Sequence, residues 1–193
     1  MRILLINPPY SDKNLIHHYA PEDLKEHLSN MFLVGPPQAL CSIAGNLTDF
    51  DVKVIDYKAE YRLGLKTPFQ EDLAKKLEDF KPHIAGVTCM TSEYNLAVEI
   101  METVKMVNPE ILTVVGGVQV SLSPQHFKLP CVDIAVLGHG KKLFRDIVLK
   151  YIDNKDFTSI PNLYLKKGEE HYFTQKEDLF KTEQGLLSHV HAD

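Results

Sequence analysis

Cysteine is scarce in this 193-residue chain: Cys41, Cys89 and Cys131 are odd in number and far apart. There is no CxxC and no CxxxCxxC, so neither a disulfide framework nor a zinc site is expected. The three thiols read as small buried or half-buried hydrophobes. No apolar run approaches the roughly 20 residues needed to cross a bilayer. The first hydrophobic stretch, Ile3 to Ile6, is too short and too soon followed by Asn7-Pro8-Pro9 to act as a signal peptide. Basic residues are outnumbered, 21 Lys and Arg against 26 Asp and Glu, for a formal net charge of −5, and they form no dense stripe. A nucleic-acid backbone needs clustered positive charge, so neither nucleic acid nor membrane is an expected partner, and the expected location is cytoplasmic.

Several ligand fingerprints are also missing. The first apolar run leads into Asn-Pro-Pro rather than GxGxxG, and no GxxxxGK[ST] occurs. A phosphoreceiver would need an acidic cluster after the first strand and an Asp after the third, where this chain has Asn7 and Thr88.

What is present is a regular alternation. Short β-branched runs fall at Ile3 to Ile6, Val52 to Asp56, Ile84 to Thr88, Ile111 to Val115 and Ile134 to Leu137. Four or five residues without strict alternation suit strands buried on both faces. Between them, apolar residues three and four apart predict helices over Pro37 to Leu47, Gln70 to Phe80, Ser92 to Val107 and Lys141 to Tyr151, with Ser92 as a candidate N-cap. Strand–helix repetition predicts an α/β fold: a flavodoxin-like, doubly wound parallel five-stranded sheet in the order 2-1-3-4-5. Alternation around Lys167-Gly168-Glu169 predicts a C-terminal β-hairpin, Leu163-Tyr164-Leu165 with His171-Tyr172-Phe173. The expected division is an α/β domain over residues 1–155 and a hairpin and linker over 156–193. The long connection of residues 8–35 is expected to be functional or mobile.

In open α/β sheets, ligands bind outside the carboxyl ends of the strands, near the point where strand order reverses. The candidates are therefore Asn7 after strand one, and Thr88, Met90, Thr91 and Ser92 after strand three. Gly116, Gly117, Gln119 and Val120 follow strand four, and Gly138, His139 and Gly140 follow strand five. Glycine lets a ligand approach the backbone closely, although Gly116-Gly117 also suits a tight turn. The hydroxyls of Thr88, Thr91 and Ser92 suit either ligand binding or helix capping. Cys89, with His17, His18 or His139, is the one candidate nucleophile for a small hydrolase or transferase. A flavin or nucleotide binder is a further alternative.

Taken together, the motifs resemble a family. Asn7-Pro8-Pro9 follows the first strand, Gly35-Pro36-Pro37 precedes the first helix, and GVT with hydroxyls closes the third strand. VVGGVQVSLSPQ and VDIAVLGHG follow in order. The set is similar to the N-terminal cobalamin (B12)-binding domain of class B radical SAM enzymes, the group that includes anaerobic magnesium-protoporphyrin cyclases. The resemblance implies cobalamin as cofactor, with a radical SAM domain in cis or trans adding a 4Fe-4S cluster and S-adenosylmethionine. It implies that the nucleotide tail runs into a slot lined by Thr88, Thr91, Ser92, Gly116 and Gly117. Asn7 and Gly138 to Gly140 would then meet the corrin. A branched side chain at Gly117 is expected to block the slot and leave the fold intact.

Two departures qualify the resemblance. GHGK stands where the family has GEGE, and the cluster-binding CxxxCxxC is missing, so the chain reads as a fragment or a stand-alone binding protein without turnover of its own. DxHxxG, whose His binds cobalt in methionine synthase and the mutases, is also missing: Asp12 and His17 do not have that spacing. Base-off cobalamin without a protein imidazole on cobalt is the implied state. His17→Ala, His18→Ala and the double variant should therefore leave the electron paramagnetic resonance of bound cob(II)alamin unchanged. Nitrogen superhyperfine lines that vanish in either variant would refute it.

Overall fold

The computed structural model describes residues 1–10, 21, 23–24, 35–168 and 170–177. His17, His18 and most of the long connection that carries them lie outside the described residues.

Seven strands form one sheet: β1 (Arg2–Asn7), β2 (Asp51–Asp56), β3 (Ile84–Thr88), β4 (Leu112–Gly116), β5 (Ile134–Val136), β6 (Leu163–Lys167) and β7 (Glu170–Phe173). Their order is β2-β1-β3-β4-β5-β6-β7. The first five pair in parallel in the expected order, while β5–β6 and β6–β7 pair antiparallel. The strand count is thus seven rather than five, because the hairpin extends the same sheet. The physical reason lies in β5, whose three residues are all buried and whose free edge would otherwise be open to pairing. Leu163, Tyr164 and Leu165 of β6, also buried, cover it. At the other edge β2 alternates between exposed and half-buried positions until Ile55, as an edge strand does, so it is not buried on both faces.

Helices cover both faces. Helix α1 (Gln38–Gly45), α2 (Tyr57–Arg62), α3 (Phe69–Phe80), α4 (Tyr94–Val107), α5 (Val118–Leu122) and α6 (Gly140–Asp153) follow in chain order. Helix α2 has no apolar periodicity to announce it. Asp56 starts it by accepting from Lys58 N at 3.2 Å, and Tyr57 anchors it by donating to Asp72 Oδ2 at 3.0 Å. Ser92 does not cap α4, since a 3₁₀ turn over Thr91–Glu93 intervenes and the helix begins at Tyr94. Leu73 and Leu77 of α3 and Ile100 and Val104 of α4 pack on one sheet face. Leu40 of α1 and Leu143, Phe144, Ile147 and Val148 of α6 pack on the other.

The second face contains the feature that positions the site. Leu5, Gly86, Val114 and Ile134 lie side by side across four strands, followed one pleat later by Thr88, Gly116 and Val136. Small residues at 86 and 116 leave a trough between α1 and α6. The two helices are tied beyond it: Arg145 of α6 donates to Asp49 at 2.8 and 2.9 Å and to Asn46 O at 2.6 Å. Asn46 Nδ2 donates to Lys141 O at 3.1 Å.

Gly86 is required by this packing. A Cβ there would stand 2.8 Å from Phe144 Cε2 and 2.9 Å from Leu5 Cδ2. Overpacking of a buried site typically costs about 1–3 kcal/mol. Gly86→Val should lower the unfolding free energy by about that amount in urea titrations while the far-ultraviolet circular dichroism stays native. An unchanged midpoint would contradict the contact.

Candidate functional site

The carboxyl edge of the sheet is assembled from loops that bind one another. Cys89 N donates to Gly116 O at 2.8 Å, and Gln119 N donates to Cys89 O at 3.2 Å. The loops after β3 and β4 are thereby stitched together. Gly117 sits between them at φ 117°, ψ −173°, a region open essentially to glycine alone. A Cβ at Gly117 would lie 2.6 Å from Cys89 O and 2.9 Å from Cys89 N. The expectation that Gly117→Val leaves the fold intact is therefore corrected: the residue is held by neighbouring backbone, and any side chain must part the two loops. Ser121 extends the stitching to β5, its hydroxyl donating to Gly117 O at 3.2 Å and accepting from Gly138 N at 2.9 Å.

A second network closes the edge on the β1–β2 side. Asn7, almost fully buried, donates from Nδ2 to Asp56 Oδ1 at 2.8 Å. Lys58, beside Asp56, forms an ion pair with Glu93, and its Nζ lies 5.2 Å from the centre of the Tyr10 ring. Glu93 is 5% exposed and also accepts from Met90 N at 3.4 Å. Burying a carboxylate without such partners is costly.

Between these loops the trough opens as a groove of about 120 Å³, continuous with solvent. Leu5, Gly86 and Val114 form its floor with Phe144 at its base, Ala39, Leu40 and Ile43 of α1 form one wall, and Val136 and Gly140 lie opposite. Of the sequence-derived candidates, the groove brings together Thr88, Gly116, Gly117, Gly138 and Gly140. Met90, Thr91, Ser92 and His139 are exposed at the same edge but do not line it. Gln119 is nearly buried, with Nε2 3.3 Å from His126 Nδ1. Val120 is fully buried in the core of the opposite face, which removes it from the groove.

The wall residues Ala39, Ile43 and Phe144 and the floor glycine Gly86 were not among the candidates. Gly86 carried a legible signal, since a glycine inside a strand marks close approach of another group. The others read as ordinary core positions of amphipathic helices.

Cys89 does not suit nucleophilic chemistry. It is fully buried, and desolvation followed by the nearby Glu93 carboxylate pushes its thiol up to about 12. The thiolate is then negligible near neutrality. This counts against the hydrolase or transferase alternative. Cys131 is likewise buried and pushed upward by desolvation, whereas Cys41 is exposed on α1. Among the described residues no group of His, Cys, Asp and Glu is arranged to hold a metal ion. No described helix is long and apolar enough to cross a membrane.

Comparison with known proteins follows this geometry. A family model for the B12 binding domain matches residues 28–148. A protein described as an uncharacterized methyltransferase of Pyrococcus horikoshii is 31% identical over 137 residues, covering 69% of this chain and 28% of that protein. The anaerobic magnesium-protoporphyrin IX monomethyl ester cyclase of Rubrivivax gelatinosus is 28% identical over 156 residues, covering 77% of this chain and 24% of the cyclase. The radical S-adenosylmethionine methyltransferase TsrM of Kitasatospora setae, solved with cobalamin and a [4Fe-4S] cluster, superposes with a TM-score of 0.68. Identity is 19% over 92% of this chain and 29% of TsrM, so that likeness concerns the fold. The chain spans less than a third of the length of these relatives.

The thiol assignment is directly testable. Ellman's reagent should titrate one thiol rapidly in the native protein and three in denaturant, and Cys41→Ser should abolish the rapid phase. A rapid phase surviving in Cys41→Ser would contradict the burial of Cys89 and Cys131.

Proposed function

The chain belongs to the B12 binding domain family, and on that footing we propose that it holds base-off cobalamin across the carboxyl edge of the sheet, as the cofactor module of a radical SAM enzyme. Cobalamin supplies the chemistry, a cobalt-borne methyl group or a cobalt redox step, beside a radical SAM domain in cis or trans that carries a 4Fe-4S cluster and S-adenosylmethionine.

The observation that carries the reading is the groove over Gly86 and Gly116. It opens at the edge where ligands of doubly wound sheets bind, above the Phe144 ring that occupies the space over Gly86 and beside Gly116, whose missing Cβ leaves room. An apolar slot of this kind suits the base of a corrinoid's nucleotide tail once that base has left cobalt. Gly116 and Gly140 would border the tail, with Thr88 Oγ1 offering a hydrogen bond. The hydroxyls of Thr88, Thr91 and Ser92 have no partner among the described residues, which leaves them available to a ligand. Gly138 and His139 would meet the corrin periphery. Asn7 has a positioning role, its amide bracing β1 against Asp56 of β2. Gln119 and the Gly117–Cys89 stitch hold the loops in place rather than touching the ligand. Exposed Met90, Val118 and Leu122 at this edge supply apolar surface for the corrin or for an adjoining domain.

Gly116 separates groove from fold better than Gly117. A Cβ at Gly116 would meet Val136 Cβ and O at 3.9 Å, ordinary contact distances. Gly116→Val should keep the native circular dichroism and urea midpoint while its methyls enter the groove. Equilibrium dialysis with hydroxocobalamin should give a loss of affinity of tenfold or more. Undiminished affinity in the folded variant would remove the groove from the site, and tighter binding of flavin mononucleotide than of any corrinoid by the wild type would reject the cofactor.

A further inference from the structure

The groove is uniform in its chemistry. Its side-chain surface is aliphatic and aromatic, running from Leu5 and Val114 on the floor to Ala39 and Ile43 on α1 and Phe144 on α6. Among the described residues lining it, Thr88 alone has a polar side-chain atom. Much of the backbone along it is already bonded. Gly86 lies in ladders on both sides, Gly116 O accepts from Cys89, Gly117 O accepts from Ser121, and Gly138 N donates to Ser121 Oγ. The base of the groove is closed by the Phe144 ring, nearly buried and seated where a Gly86 side chain would be.

Resting on the cobalamin reading, we infer that this groove sorts corrinoids by the polarity of their nucleotide base, admitting a benzimidazole and disfavouring a purine. Burying a polar group without a hydrogen-bond partner is costly. Adenine brings an exocyclic amine and several ring nitrogens, and one threonine hydroxyl satisfies at most one or two of them. Dimethylbenzimidazole released from cobalt presents two methyl groups, an apolar ring and a single nitrogen acceptor. Thr88 Oγ1 is a sufficient donor for that one acceptor. A site built on apolar walls thus discriminates through the unpaired groups of the wrong ligand rather than through contacts to the right one.

The test uses the full chain and three corrinoids: cobalamin, the adenine-based cobamide, and cobinamide, which has no nucleotide. Dissociation constants come from equilibrium dialysis, with the visible spectrum reporting the bound state. Cobalamin should bind at least tenfold more tightly than the adenine cobamide, and cobinamide more weakly than cobalamin. Val136→Thr puts a hydroxyl in the wall at nearly constant volume and should shrink the cobalamin-to-adenine preference at least threefold. Equal binding of cobalamin and the adenine cobamide would overturn the inference, as would cobinamide matching cobalamin, while leaving cobalamin binding itself standing. A chain that binds none of the three would reject the cofactor reading and this inference with it.

Discussion

The approach of the Cys89 backbone to Gly117 is the constraint on which the carboxyl edge of the sheet depends. Two loops from adjacent parallel strands come so close that a Cβ would overlap a carbonyl oxygen. They stay there through the hydrogen bonds from Cys89 N and Gln119 N. Because β3 and β4 are held together past the ends of their ladder, α5 starts directly at the edge and Ser121 reaches across to Gly138. Thr88 and Gly116, paired as the last residues of the β3–β4 ladder, stand directly below that closure.

The two faces of the sheet serve different ends. The α3–α4 face is filled continuously, from Leu4 and Ile6 through Val87 and Val115 to Phe127. The α1–α6 face carries the same kinds of residue but is interrupted at Gly86 and Gly116, and the interruption lies at the carboxyl end. Phe144 fills the lower part of the gap, which keeps the core closed beneath the groove. The ties of Arg145 and Asn46 hold α1 and α6 at the spacing the groove needs. Polar groups at the rim are largely engaged with one another, as in Asn7–Asp56 and Lys58–Glu93.

Much of the architecture was legible in the chain because parallel strands buried on both faces produce short, unbroken β-branched runs. Ile84 to Thr88 and the glycines closing β4 marked both the order of elements and the edge to inspect. Three features were not legible. Helix α2 escaped because its start depends on Asp56 and its anchor on a Tyr57–Asp72 bond, neither of which leaves a periodic trace. Ser92 looked like a cap, but the chain first makes a tight turn whose Glu93 binds Met90 N and Lys58. Val120 and Gln119 read as edge positions from their place after Gly-Gly, yet the turn of α5 buries both side chains.

By itself the sequence determined the α/β class, the parallel order 2-1-3-4-5 and the family resemblance, because each is encoded in local runs and short motifs. Only the tertiary structure decided which residues form the groove. Gly86 meets Leu5 on a neighbouring strand and Phe144 on a helix far along the chain, and the α1 wall lies opposite both. It also decided that Gly117 is required by backbone, whereas a side chain at Gly116 would meet only ordinary contacts. The two glycines are adjacent in sequence and indistinguishable there, because what separates them is the distance from each missing Cβ to atoms the chain brings back from elsewhere.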